Sequence, residues 1–302
     1  MSFSADLGGT WLYTANPQRI GPFPPPVGPV VAASDSLFVG LPQGAPNGIQ
    51  VHLYVRKGFS SPGMAVLSAA SYGNLIASDS LASAFGLDFS TTTEVATTIP
   101  LPTELAGISV KVRDRDGAER IAPLLFVSPK QINFHVPPGT AKGTAQITIT
   151  SNGNAIRVGS VEVGAVAPAL FTANMSGAGV PAALALRVKA DGSSQYESIM
   201  QFDSAQNQFV PKPIDLGAET DRVYLILFGT GVRNHSGLEN IEAVFSRGPT
   251  IRPDYAGAQG EFVGLDQINV SLTRSLAGSG ELDLHLSIKS EPISNIVTVN
   301  FK

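Results

Sequence analysis

The sequence predicts an all-β protein of tandem sandwich domains, and three observations carry that prediction. Short runs alternate apolar and polar side chains with period two, the pattern of half-buried strands. Glycine and proline are abundant, 31 and 22 of 302 residues, which suits many strands joined by turns. One β-unit also occurs twice, around Gln131 to Asn133 and again around Gln267 to Asn269.

Taken in order, residues 1–60 hold Trp11 and Tyr13, then a proline-rich tract from Gly21 to Pro29 that reads as an extended loop. Val51, Leu53 and Val55 then alternate with His52, Tyr54 and Arg56, so this part ends in a strand. The stretch Phe59 to Gly63 is a first domain boundary. Val110 to Arg113, the turn Asp114 to Gly117, and Arg120 to Phe126 predict a hairpin closed by Asp-Gly chemistry. Ile132, Phe134 and Val136 alternate with Asn133 and His135. Pro137, Pro138 and Gly139 stop that strand, because proline gives no N–H to a ladder. Ala145 to Thr150 resumes the alternation, as a hairpin partner or after a crossing between sheets. Ala165 to Ala173 is a second boundary, where Pro168 bends the chain. Ser193 to Gly217 reads as an inserted pair of loops, with Phe202 to Val210 as a short hairpin. The second copy follows, with Ile268, Val270 and Leu272 on one face. The expected domains are therefore 1–60, a partial β module, then sandwiches over 61–172 and 173–302.

Composition narrows function by exclusion. Hydrophobic residues make up 43% and charged residues 15%, a globular balance. A net charge of −4 with no basic run offers a phosphate backbone no footprint, so nucleic acid is not an expected partner. Without cysteine there are no disulfides, thiolate metal sites or cysteine nucleophiles. No stretch of 18 apolar residues predicts a membrane span, and the first residues lack the pattern of an export signal.

No catalytic, metal or cofactor constellation stands out. His52, His135, His235 and His285 lie too far apart for the short spacings of metal sites, and three occupy outward strand positions, which reads as surface or interface histidine. Asp114-Arg115-Asp116-Gly117 opens like a calcium loop, yet Leu125 stands where the twelfth-position glutamate is needed; a turn is the better reading. Asp191-Gly192 is alike. No G-x-S-x-G elbow is present. Gly229-Thr230-Gly231 lacks the further glycine and helix of a phosphate cradle. The binding candidates are the aromatics Trp11, Tyr13 and Tyr54, which would serve a carbohydrate or another chain pairing along an exposed strand edge, with buried core as their alternative role.

Two resemblances add to this. Trp11-Leu12, the aromatic Tyr13 and Asn16-Pro17, followed by Leu41-Pro42-Gln43-Gly44 and a closing strand, resemble the second half of a BACON-like immunoglobulin-type module. From Met64 on, AVLSAASYGN, APLLFVSPKQINFHVPPGTAKGTAQITIT, LILFGTGVRN and GLDQINVSLTRSLAGSGELDLHLSI closely resemble an uncharacterised C-terminal domain family of secreted bacterial proteins, typified by Solibacter. That resemblance covers about four-fifths of the chain. It implies tandem immunoglobulin-like sandwiches, an extracellular or cell-surface location and no known activity. The family usually carries Gln where this chain has His135, which adds His135 to the binding candidates. The expected function is a non-catalytic adhesive, spacer or assembly module. The alternatives are an ester or glycoside hydrolase with a site in a cleft, or a carbohydrate-binding accessory module.

Overall fold

The structure is a computed structural model that describes residues 63–302 and, before them, the backbone of short strands alone, among them Gly9–Tyr13 and His52–Val55. Of the module expected over 1–60, the strand expected to end at Val55 is present as His52–Val55, paired with Leu37–Gly40, while the side chains of the candidates Trp11, Tyr13 and Tyr54 lie outside the described residues. The described chain forms two compact units that divide at Val163/Gly164, the second also taking in 69–72 and 77–81.

The first unit is built from β1 (Ala65–Ser68), β2 (Leu75–Ala77), β3 (Leu81–Phe85), β4 (Glu94–Val95), β5 (Ile108–Arg113), β6 (Glu119–Ala122), β7 (Leu124–Val127), β8 (Gln131–His135), β9 (Gly143–Ser151) and β10 (Asn154–Gly164). One sheet runs β4-β7-β8-β3-β1 and the other β6-β5-β9-β10-β2. Within them, β1-β3-β8-β7 stand in the A-B-E-D order of an immunoglobulin domain, and β6-β5-β9-β10 in its C′-C-F-G order.

The second unit repeats that order. Its strands are β11 (Ala169–Leu170), β12 (Ala183–Val188), β13 (Ser194–Ser198), β14 (Met200–Asp203), β15 (Gln208–Pro211), β16 (Arg222–Thr230), β17 (Ile241–Phe245), β18 (Thr250–Ile251), β19 (Tyr255–Ala258), β20 (Asp266–Ser271), β21 (Gly280–Ile288) and β22 (Val297–Phe301). One sheet runs β13-β12-β16-β20-β19, the other β18-β17-β21-β22, and β14 and β15 pair only with each other. Tandem immunoglobulin-like sandwiches are thus read from strand order itself.

The duplicated tripeptide occupies the same place in both units, the central E strand. Gln131 donates to Asn133 and Gln267 to Asn269, each at 2.8 Å, and the residue between them, Ile132 or Ile268, points into the core. Each sandwich closes over its own apolar cluster: Val110, Phe134 and Ile147 belong to the first, Leu225, Ile268 and Leu284 to the second.

Two expectations need correction. Arg120 to Phe126 is not one strand: β6 and β7 lie in different sheets, and Pro123, unable to donate to a ladder, marks the switch. The second sandwich takes up the chain before residue 173, since β11 already pairs with β16, Ala169 opposite Thr230. The run from Pro137 to Gly139 carries the chain from one sheet to the other, so of the two readings open for β8 and β9 the crossing between sheets holds and the hairpin does not.

Gly231 shows why the Phe228-to-Gly231 segment reads as it does. Its φ is +75° and an added Cβ would collide with the Ala167 carbonyl. Ala167 meanwhile donates to the Gly231 carbonyl at 2.9 Å. The glycine permits this close approach of two backbones.

Candidate functional site

The titratable residues singled out in the sequence hold the fold. Asp114, 5% exposed, caps its own turn. Its Oδ1 accepts from the N–H groups of Asp116 and Ala118, at 3.1 and 3.0 Å, and its Oδ2 from Arg120 at 2.6 Å and the Ala141 N–H at 3.2 Å. Protein donors occupy both oxygens, which is the turn reading in atomic terms. The bond from Arg120 is the main reason its carboxyl is held below the ordinary range.

His235 ties its own loop to strand β19. The Gly237 N–H donates to Nδ1 at 3.1 Å, so Nε2 carries the proton and donates to the Ala256 carbonyl at 3.0 Å. His135 departs from the outward placement expected of it: it is 6% exposed at the end of β8, and its own N–H donates to the Pro123 carbonyl at 2.9 Å. A central strand has a sheet neighbour on both sides, and alternation alone does not say what covers its outer face. Among the described residues no three His, Asp or Glu side chains gather as a metal site would require, and no helix is long and apolar enough to cross a membrane.

A different region brings chemistry together, on the second sandwich. Val188 at the end of β12 pairs with Arg222 at the start of β16. Residues 189–221 are therefore an insertion between the A and B strands, leaving and returning at one end of the sheet. The insertion first adds β13 as an edge strand, then projects the β14–β15 hairpin, in which Phe202 and Phe209 face each other across the strands. Their rings meet edge-to-face with centroids 5.5 Å apart, yet they remain 55% and 38% exposed. Tyr196 on the edge strand is 63% exposed. Aromatic rings usually bury their area, so three open to solvent on one insertion are a marked feature.

At the foot of the hairpin lies an open hollow of about 450 Å³, lined on one side by Ile199 and Lys212. Its floor is Arg187, with only 9% of its side chain exposed. Arg187 Nε and Nη2 donate to the two oxygens of Glu197 at 2.6 and 3.2 Å, Nη1 to Asp221 at 3.2 Å, and Nη2 also to the Asp215 carbonyl at 2.7 Å. The bond to Glu197 is the largest cause of the guanidinium's raised pKa. Gly217, at φ +68°, passes so close that a side chain there would run into the guanidinium. Asp215 accepts from the Gly217 N–H at 2.8 Å and pairs with Lys302 at 3.1 Å. Those two contacts, the backbone one foremost, lower its pKa.

The sequence marked the hairpin but not this cluster. The pairing of two phenylalanines across a turn was the one local signal. The charged partners come from residues 187, 197, 215, 221 and 302, with no shared spacing.

No family model matches the chain, and no curated protein does. Among solved structures, bovine butyrophilin is similar at 9% identity with a TM-score of 0.24, covering 79% of this chain and 99% of that one. The immunoglobulin-like assignment stands on the strand order of each unit, not on that likeness.

Proposed function

We propose that this chain is a non-catalytic adhesive protein of the extracellular space or cell surface, whose second immunoglobulin-like domain carries the contact surface on its 189–221 insertion. The observation that supports this reading is the exposed Phe202–Phe209 pair on a hairpin that belongs to neither sheet of the sandwich. A solvent-exposed aromatic pair adds nothing to the core, whereas large, rigid rings supply contact area at low entropic cost. The family resemblance noted for 64–302 agrees with this location. Beads coated with the chain and applied to printed panels of polysaccharides and proteins provide the test. Retention on at least one spot, lost with the double substitution Phe202→Ser and Phe209→Ser, is expected. Absence of retention, or retention indifferent to both substitutions, would leave these domains as a spacer.

A further inference from the structure

The hollow at the foot of the hairpin has a chemistry of its own. One guanidinium, Arg187, faces two carboxylates, Glu197 and Asp221, and the lining as a whole mixes both signs, with Lys189, Lys212 and Lys302 beside Asp215. An ionised carboxylate has about four acceptor sites. Glu197 uses two of them on Arg187 and Asp221 one, and both residues line the hollow. Donors stand at the rim: the exposed Lys212, and Lys189, which also lies near Asp191. Salt bridges fix the floor groups in place before any ligand arrives, which lowers the ordering cost of binding.

This arrangement disfavours a simple anion, which the two carboxylates would repel, and a simple cation, which the ammonium rim would repel. It suits a neutral ligand that both donates and accepts at neighbouring oxygens, and adjacent hydroxyl groups of a sugar do so. Phe202 and Phe209 lie three residues along their strands from Ile199 and Lys212, about 10 Å at about 3.3 Å per residue. The apolar C–H face of a neighbouring sugar unit could lie on such a ring. The volume of about 450 Å³ falls within the roughly 300–1,000 Å³ of small-ligand sites.

We infer that this hollow binds one unit of a neutral oligosaccharide, with Glu197 and Asp221 accepting from its hydroxyls, Lys212 donating to them, and the Phe202–Phe209 pair carrying the next unit. The inference rests on the adhesive reading and names its ligand class. The test is calorimetric titration of the whole chain with short gluco-, manno-, galacto- and xylo-oligosaccharides, with oligogalacturonate as the charged control. One neutral series binds, and its affinity changes little between low and high salt, because no net charge is neutralised. Asp221→Asn and Lys212→Ala each weaken it about ten-fold. Lys212 is exposed, so its variant keeps the fold even where Asp221→Asn disturbs Arg187. The inference is overturned if no neutral sugar binds, if the Lys212→Ala chain binds as well as the parent, or if only oligogalacturonate binds and salt abolishes it. Beads that still lose retention with the two phenylalanine substitutions, in a chain that binds no sugar, would sink this inference and leave the adhesive reading standing.

Discussion

Phe134→Ala tests whether each sandwich stands on its own core. Phe134 is at 0% exposure on the central strand β8, within the cluster that includes Val110 and Ile147. A buried aromatic side chain removes about 150–250 Å² from water, worth roughly 4–6 kcal/mol at about 25 cal/mol per Å². Alanine keeps the Cβ share of that, and the vacated ring space adds a cavity term, so the expected loss is about 3–5 kcal/mol. Hydrogen exchange read peptide by peptide, alongside urea unfolding, measures the loss and places it. Protection falls in peptides from 108–163 and stays near parental values in peptides from 222–301. A loss under about 1 kcal/mol, or an equal fall in both regions, would refute the assignment of two separate apolar clusters.

Other substitutions probe single contacts. Gly231→Ala forces a side chain into φ +75° against the Ala167 carbonyl, and thermal unfolding should show a loss of at least about 1–3 kcal/mol from backbone strain; no loss would contradict the close approach described. Asp114, with its carboxyl pKa below the ordinary 3.8, contributes stability above that value that disappears as pH falls through the folded-state pKa. Acid unfolding of Asp114→Asn should therefore lack part of the parental dependence below about pH 4. Tyr72, whose pKa burial pushes up to about 12, donates to the Met175 carbonyl at 3.0 Å. An absorbance titration should show a late-ionising tyrosine that is missing in Tyr72→Phe. Because the unfolded chain ionises that tyrosine first, its contribution to stability is whole below about pH 10 and is lost as pH rises through about 12.

Most of the architecture was legible because period-two alternation survives in strands with one face buried. The Val110–Arg113 strand, the Ile132–Val136 strand and the second copy at Ile268 all show it. The Asp114–Gly117 turn was legible for a different reason: its side-chain chemistry is local, with Asp114 bonding to residues two and four positions ahead. What failed lay at junctions. Pro123 sits within a continuous apolar run in the sequence, although it moves the chain from one sheet to the other. The start of the second sandwich reads late from sequence because β11 has two residues and no period. Alternation places His135 outward, because it reports the face a side chain takes and not what covers it. The hollow was illegible because Arg187 gathers partners from up to 34 positions away, and long-range ion pairs leave no local pattern.

The central claim is that binding belongs to the A–B insertion of the second sandwich and the domains themselves are its frame. Met200 and Pro211 are directly paired, so an Asn-Gly turn joining them replaces 201–210 with a connection suited to a two-residue hairpin. Bead retention by this shortened chain is the direct measurement. The account predicts an unfolding temperature close to the parent's with retention abolished. Retention at the parental level by a folded, shortened chain would contradict it.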